Sequence, residues 1–334
     1  MTYSPVFIFC AASSGSTLLA SILHAHSKIF IGPELYLLNK QEIYNFTCFK
    51  ANAHIWLKEG LIDNGQIGMP VFYFNRKHYL PDYKFLEIIK RSSSTREFFD
   101  CFFHNVISKH NKCIWGEKTG SNSYCTKNIL KIYPNATIIH LVRDPRDSCI
   151  SIKKRSGSFY HAAAHWLYNN AAARACKDLE NYHLVRYEDL VSDPKTCITL
   201  ICKRIGVEFE PAMLNRDSNI QWRIFFDNNT HKSWSLMPDV TISAEAIGKG
   251  RSLLTNADKG ILYRSKLTNR GMKLLGIDNR ISLVELAADF NYNLDYNSQI
   301  VDYKAYMDAL NQFLTRCKRS AIRKKLYLPL VTIL

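Results

Sequence analysis

The sequence lacks several features that define common protein classes. No window holds about twenty consecutive apolar residues, the length that a membrane-spanning helix needs. The ten cysteines form no CxxC pair, so we expect reduced core cysteines rather than a zinc or disulfide framework. No basic segment followed by an apolar one precedes the apolar run at residue 6, so no secretion signal is predicted. We therefore expect a cytoplasmic protein.

Acidic residues are also in deficit. The 29 Asp and Glu residues face 44 Lys and Arg residues, which gives a net charge of +15. This balance predicts an anionic partner, such as a nucleic acid, a membrane surface or a phosphorylated small molecule. Composition alone does not choose among them, and the chain of 334 residues is long enough for one large or two smaller α/β domains.

Apolar runs alternate with segments of helical periodicity, which is typical of a doubly wound, mostly parallel sheet flanked by helices. Strands are predicted over 6–9, 29–31, 113–116, 136–142 and 182–187. Helices are predicted over 18–26, 35–61, 95–110, 123–132, from 145, over 158–180, 194–206, 257–276 and 298–325. We expect a single α/β domain over residues 1–300, followed by a basic and apolar helix and tail over 301–334.

A loop of small residues follows the first strand. The stretch Ala11–Thr17 joins that strand to a helix, an arrangement that offers an anion several backbone N–H groups and the positive end of a helix dipole. Gly15 can take the positive φ that such a loop needs. The Lys of a nucleotide-triphosphatase loop is missing, because Ser16 and Thr17 follow Gly15 directly. The stretch is therefore either a different anion-binding loop or an ordinary turn with a serine cap.

A second motif follows the strand over 136–142. Asp144 suits a helix N-cap and Pro145 the first helical position. Arg143 can bind a phosphate in a forked geometry, and Ser151 can donate from the following helix. Taken alone, the motif also fits a helix cap with a surface ion pair. Together with the first loop, it predicts a ligand that carries two separate phosphate groups.

The paired segments SGSTLL and LVRDPRDSCIS resemble the sulfotransferases that use 3′-phosphoadenosine 5′-phosphosulfate (PAPS). Further similarity, in the family's order across residues 5–215, lies in Gly32–Leu35, Gly116–Thr119, Val185–Leu190 and Ile205–Val207. The resemblance implies a P-loop-like α/β fold, PAPS as the sulfuryl donor, no metal and no nucleic-acid partner. It also implies an acceptor hydroxyl on a carbohydrate, a lipid or another small metabolite.

The resemblance also implies roles for individual residues. Glu34 lies twenty-one residues after Ser13, where family members with a carboxylate base keep their Glu. Lys118 is expected to steady the leaving phosphate. The expected nucleotide-binding residues are Ser13, Ser14, Gly15, Ser16, Thr17, Leu18, Arg143, Ser151, Tyr187, Lys249, Gly250 and Arg251. A capping carboxylate at Glu34, a solvated Lys118 and a core Tyr187 are the alternative interpretations.

One residue departs from the family pattern. Many members carry Arg or Lys at the position of Ser13, and a serine brings a hydrogen bond but no charge. Losing such a donor costs about 10²–10³ in rate. Lys118, Lys154, Arg155 or the 249–251 loop can compensate. Without compensation, the protein is expected to be slow or to have changed role. The alternatives are a P-loop-type kinase, which shares the strand–loop–helix arrangement, and a non-catalytic nucleotide- or anion-binding protein, which the net charge and Ser13 favour.

Two remaining features have modest interpretations. His161 and His165 are spaced to share one helix face, and no third metal ligand is evident. The C-terminal end carries a basic run over 316–325 and the apolar stretch Leu326–Leu334. This tail either contacts an anionic membrane surface or is a solvated terminus.

Overall fold

The computed structural model describes residues 4–54, 62–63, 66–67, 79–215, 242–294 and 331–332. Its main sheet has five strands, all parallel, in the order β2-β5-β1-β6-β7. These are β1 (Val6–Cys10), β2 (Ile29–Ile31), β5 (Ile114–Glu117), β6 (Thr137–Val142) and β7 (Tyr182–Arg186). Two short antiparallel pairs join β3 (Ile62–Asp63) to β4 (Gln66–Ile67) and β8 (Lys266–Leu267) to β9 (Val331–Thr332). The predicted α/β class is confirmed.

Helices lie between the strands of the main sheet and continue after its last strand. They are α1 (Ser16–His24), α2 (Phe46–Ala51), α3 (Asp82–Arg91), α4 (Thr95–Lys109), α5 (Thr126–Ile132), α6 (Pro145–Ser156), α7 (Phe159–Arg174), α8 (Tyr187–Ser192), α9 (Pro194–Ile205), α10 (Asn256–Arg264), α11 (Asn269–Leu275) and α12 (Leu283–Asp289). Short 3₁₀ turns lie at Gln41–Tyr44, Gly120–Cys125, Pro211–Leu214, Ala244–Ala246 and Arg251–Leu253.

The central strands are apolar because both of their faces are covered. Every residue of β1 and β6 is buried, as expected for inner strands of a parallel sheet. Helix α7 packs on both of these strands. The local signals at two helix starts also hold: the Asp144 side chain accepts from the Arg146 amide at 2.9 Å, and that of Asp193 accepts from the Thr196 amide at 3.2 Å.

The predicted continuous helix over 35–61 is wrong. Tyr36 has a φ of 53°, in the left-handed region that no helix interior uses. The Leu35 and Tyr36 amides instead donate to side chains of Glu117 and Thr119, at 3.0 and 3.3 Å. A helix begins only at Phe46, after a new N-cap, and residues 55–61 lie outside the described part of the chain. A long-range interaction therefore overrides the local apolar spacing.

Smaller differences concern helix boundaries. Helix α3 was not predicted, although Phe85, Ile88 and Ile89 form its buried stripe. The helix predicted over 158–180 ends at Arg174, and the one predicted over 257–276 is two helices separated by β8. The segment predicted over 123–132 begins as a 3₁₀ turn. The helix predicted over 298–325 and most of the tail over 301–334 lie outside the described residues.

Strand β9 attaches the far end of the chain to a second apolar cluster. Val331 pairs with Leu267, is 1% exposed, and its carbonyl accepts from the Tyr160 hydroxyl at 2.9 Å. This cluster also contains Trp166 of α7 and Leu286 of α12. Part of the apolar tail therefore packs on the protein itself. No helix in the described residues is long and apolar enough to cross a membrane.

His140 is a fully buried polar residue of β6. Its Nδ1 lies 2.7 Å from the Tyr182 hydroxyl and its Nε2 lies 3.0 Å from Asn170 Oδ1, partners that satisfy a neutral imidazole. Burial lowers the pKa of His140 to about 4 from its usual 6.5, against the Asn170 hydrogen bond.

We expect His140 to make the fold acid-sensitive. Between pH 6.5 and 4, His140 is protonated in the unfolded chain but stays neutral in the folded chain. Its contribution to the stability of the fold is therefore fully present above pH 6.5 and is lost as the pH falls toward 4. In His140→Gln, the slope of the unfolding free energy against pH should fall by about 1.4 kcal/mol per pH unit in that window. Urea unfolding of both chains from pH 4 to 8 measures this slope. Between pH 7 and 8, the unfolding free energies of the variant and the wild-type chain should differ by a constant amount. An unchanged slope would contradict it.

Candidate active site

Neighbouring strands end at one edge of the sheet and bring the two predicted motifs together. Strands β1 and β6 pair in register up to Cys10 and Leu141. The small-residue loop leaves β1 at this edge, and Arg143 follows β6 directly. Carboxyl ends of parallel strands are where open α/β sheets bind ligands.

The loop after β1 has the backbone of an anion-binding site. Ser13 and Gly15 both have positive φ, at 62° and 88°, and α1 begins at Ser16. Ser14 is fully buried, and its hydroxyl has no hydrogen-bond partner among the described residues. The Tyr187 ring covers the loop so closely that a Cβ at Gly15 would lie 2.4 Å from its Cδ2. Glycine is required here for both conformation and space.

Arg143 ties this loop to two other segments. Its Nη1 donates to the Ser13 carbonyl at 3.3 Å and its Nη2 to the Ala246 carbonyl at 2.7 Å. Its guanidinium also lies 4.4 Å from the centre of the Tyr187 ring. The Nε is buried and has no hydrogen-bond partner among the described residues. Ser151 lies half-buried on α6, the helix that begins two residues after Arg143.

The 248–251 loop is fixed to the first turn of α6. The Asp147 carboxylate accepts from the Gly248 and Gly250 amides at 2.8 and 2.6 Å. The side chains of this loop turn to acidic partners: Lys249 lies 4.0 Å from Glu245, and Arg251 lies 3.4 Å from Asp144. The structure thus brings the Gly250 backbone to the site, while both basic side chains pair with carboxylates.

Glu34 and Lys118 meet at the ends of β2 and β5. Lys118 Nζ lies 2.9 Å from Glu34 Oε1, and the Tyr36 hydroxyl donates to Glu34 Oε2 at 2.9 Å. The Lys118 side chain is 1% exposed and that of Glu34 13% exposed. Burial raises the pKa of Tyr36, with the Glu34 charge adding to the effect, so its phenol stays protonated as a donor. The interpretation of Lys118 as a solvated surface residue is therefore wrong.

Sequence reasoning missed Glu117, the residue that holds this pair in place. Its carboxylate accepts from the Leu35 amide, from the Thr119 amide and hydroxyl, and from the Asn122 side chain. Burial raises the pKa of Glu117 to about 7, against these hydrogen bonds. The partners fix the backbone next to Glu34. A charged residue inside an apolar strand was the available signal.

Arg155, from the last turn of α6, reaches the small-residue loop after β1. Its Nη2 donates to the Ser13 hydroxyl. Nearby on α7, burial lowers the pKa of His165 to about 3, with the His161 and Arg155 charges adding to the effect. Within the described residues, no three His, Cys, Asp or Glu side chains are grouped so that they can hold a metal ion.

Comparison with known proteins identifies relatives of this arrangement. The sequence model described as "Sulfotransferase family" matches residues 5–211. The sulfotransferase domain from the Synechococcus PCC 7002 olefin synthase has a TM-score of 0.53 and 21% identity, and the match covers 76% of this chain and 90% of that one. The sulfotransferase domain from the curacin biosynthetic pathway has a TM-score of 0.56 and 20% identity, with coverage of 87% and 98%. These structures share the fold. No curated protein sequence matches this chain.

The contact between Gly15 and Tyr187 can be tested with a matched glycine. Gly206 also has a positive φ, of 84°, but a Cβ there would meet nothing within 4 Å. Gly206→Ala should cost about 1–2 kcal/mol of unfolding free energy from conformation alone. Gly15→Ala should cost more, because the added methyl group also displaces the Tyr187 ring.

Urea unfolding measures both costs. In a Tyr187→Ala background, the cost of Gly15→Ala should fall to that of Gly206→Ala, because the clash is gone. Equal costs for Gly15→Ala and Gly206→Ala in the otherwise wild-type chain would contradict the close packing of Tyr187 on the loop.

Proposed function

The chain belongs to the sulfotransferase family, and we propose that it transfers a sulfuryl group from PAPS to a hydroxyl of a carbohydrate, lipid or small metabolite. The observation that carries the proposal is the contact between Arg143 and the Ser13 carbonyl, which joins the two predicted phosphate motifs. When bound, PAPS supplies a sulfuryl group activated by its anhydride bond to phosphate, and transfer releases adenosine 3′,5′-bisphosphate and the acceptor's proton.

The residues at the site suit the 5′ end of such a nucleotide. The first amides of α1 have no partner within the helix and can donate to an anion, and the helix dipole adds to this. The Ser14 hydroxyl, which has no hydrogen-bond partner in the part of the chain that the structure describes, is a further donor at the same loop. Gly15 supplies the positive φ that an anion-binding loop needs, and the Tyr187 ring packs where a side chain would otherwise lie. We assign Ser13–Leu18 to the 5′ phosphosulfate group.

Arg143, Ser151 and the loop that contains Gly250 suit the 3′ phosphate. Arg143 is a permanent cation whose Nε has no partner among the described residues. Ser151 lies on the helix that starts beside it. Tyr187 packs against both Arg143 and Gly15, so it lies between the two proposed phosphate sites. This position supports a contact with the nucleoside.

We assign the proton transfer to Glu34. Sulfuryl transfer resembles phosphoryl transfer, in which alignment and charge stabilisation matter more than covalent catalysis. Lys118 and Tyr36 each hold one oxygen of the Glu34 carboxylate, which orients it. Its partial exposure leaves room for an acceptor hydroxyl to approach. We also assign Lys118 to the stabilisation of the leaving phosphate, because its buried positive charge lies beside the proposed base.

Glu34→Gln should separate catalysis from binding. The amide keeps the size of the side chain but removes the base, so kcat should fall by at least about 100-fold. The affinity for adenosine 3′,5′-bisphosphate should stay within about twofold, because Glu34 is not assigned to the nucleotide. Release of the bisphosphate from PAPS, with a mixture of hydroxyl acceptors, gives kcat, and calorimetry gives the affinity.

Glu208→Gln is the matched control for this experiment. Glu208 is exposed, and its contact with His26 uses the backbone carbonyl, so both measurements should be unchanged. Full turnover by Glu34→Gln would rule out Glu34 as the base and leave the rest of the proposal standing.

Arg143→Ala should weaken nucleotide binding. A hydrogen bond to a charged group contributes about 1.5–3 kcal/mol, so the Kd for adenosine 3′,5′-bisphosphate should rise by about 10- to 150-fold. Arg204→Ala is the control and should have no effect, because Arg204 is exposed on α9, where it contacts the Glu180 carbonyl.

In thermal-shift assays of the wild-type chain, the bisphosphate should raise Tm more than ATP with Mg²⁺ or inorganic sulfate. A shift by ATP alone would favour a kinase.

A further inference from the structure

The loop at Ala11–Thr17 has no basic residue of its own. Its backbone conformation and the start of α1 nevertheless both suit an anion. The buried Ser14 hydroxyl, which has no hydrogen-bond partner among the described residues, suits an anion as well. Helix α1 also has no acidic residue in its first turn, so nothing there repels negative charge. A positive side chain must therefore come from elsewhere in the chain if the site is to neutralise its ligand.

Two guanidinium groups, one just before α6 and one in its last turn, reach one residue of that loop. Arg143, just before the helix, donates to the Ser13 carbonyl, and Arg155, in its last turn, donates to the Ser13 hydroxyl. The left-handed conformation of Ser13, with a φ of 62°, is unusual for a residue with a side chain and is common at functional sites. Both guanidinium groups thus converge on the start of the loop.

We propose that Arg155 is the cation of the 5′ anion site and takes the place of a basic residue within the loop. This inference rests on the proposed function, because the anion is the 5′ phosphosulfate of PAPS. A guanidinium at that point stabilises the negative charge that grows on the leaving phosphate oxygen during transfer. Ser13 then orients Arg155 through its hydroxyl, and the charge comes from a helix 142 residues further along the chain.

Three other basic residues near the site have carboxylate partners. Lys118 binds Glu34 at 2.9 Å, and Arg251 lies 3.4 Å from Asp144. Lys249 lies 4.0 Å from Glu245. Arg155, in contrast, contacts a neutral hydroxyl, so this contact leaves its charge uncompensated. Its exposed position also lets the side chain adjust to a ligand without breaking a buried ion pair.

The experiment compares two nucleotides that differ only in the 5′ phosphate. Calorimetry of the full chain should show that Arg155→Ala weakens binding of adenosine 3′,5′-bisphosphate by about 10-fold, the scale of one charge-assisted hydrogen bond. Binding of adenosine 3′-phosphate should not change. Turnover of PAPS should fall further, by about 100-fold, because the charge on the leaving group is larger in the transition state.

Lys154→Ala is the matched control. Lys154 is the adjacent residue on α6, equally charged and exposed, so it tests whether any nearby positive charge has the same effect. Its affinities for both nucleotides should equal those of the wild-type chain. Arg155→Lys should recover part of the lost affinity, since it restores the charge without the planar fork.

A relocation of the charge gives a positive test. In Ser13→Arg/Arg155→Ala, the cation moves into the loop, and affinity for the bisphosphate should return to within about threefold of wild type. Thermal unfolding of each variant checks that the fold is kept, which matters because residue 13 has a positive φ. Rescue would show that the charge, rather than the packing of Arg155, is what the site needs.

The outcomes separate this inference from the function on which it rests. If the wild-type chain binds the bisphosphate and Arg155→Ala behaves like Lys154→Ala, the inference is wrong and the proposed function stands. Equal losses for both nucleotides would also overturn it, because Arg155 would then act away from the 5′ phosphate. A wild-type chain that binds neither nucleotide would overturn the proposed function and this inference with it.

Discussion

The parallel pairing of β1 with β6 is the constraint on which the site depends. It sets Cys10 beside Leu141, so the loop after one strand and Arg143 after the other leave the sheet at the same edge. The two segments are about 130 residues apart in sequence, yet a guanidinium and a carbonyl meet at 3.3 Å. A slip in their register would separate the two motifs, and it would also move side chains packed on one face of the sheet to the other face. Core packing and the geometry of the proposed site therefore reinforce one another.

Two left-handed residues and a buried ion pair lie at this edge of the sheet. Ser13 and Tyr36 both adopt left-handed backbone conformations, at φ values of 62° and 53°. The Lys118–Glu34 ion pair is almost fully buried, which is costly unless each charge is well bonded. The Tyr36 hydroxyl provides one such bond to Glu34, and the Leu35 amide bonded to Glu117 fixes the adjacent backbone. Such an arrangement is rigid, which suits a reaction that depends on alignment.

The sequence was informative where structure is set locally. Val6–Phe9, 136–142 and the Asp144-Pro145 cap carry their own signals, because apolar runs and helix caps act over a few residues. The helix predicted from residue 35 is wrong because the Leu35 and Tyr36 amides donate to side chains more than 80 residues away in sequence. The contacts of Glu117 and Arg155 are of the same long-range kind. Residue type could name Glu34 and Arg143 as candidates, but only the fold could supply their partners.

The geometry of α6 explains how Arg143, just before the helix, and Arg155, in its last turn, can both reach Ser13. From Pro145 to Arg155 the helix rises by about 15 Å, which is further than one arginine side chain can reach. Since Arg143 and Arg155 both bind Ser13, that residue must lie alongside the helix, between its two ends. The loop is thus held from both directions, and the helix sets the separation of the two guanidinium groups. The Asp144 cap and the attachment of Gly248 and Gly250 to Asp147 fix the first turn of this helix. A change that tilts α6 would therefore move Arg155 relative to the loop and to Arg143, so the packing of this helix influences the electrostatics of the proposed anion site.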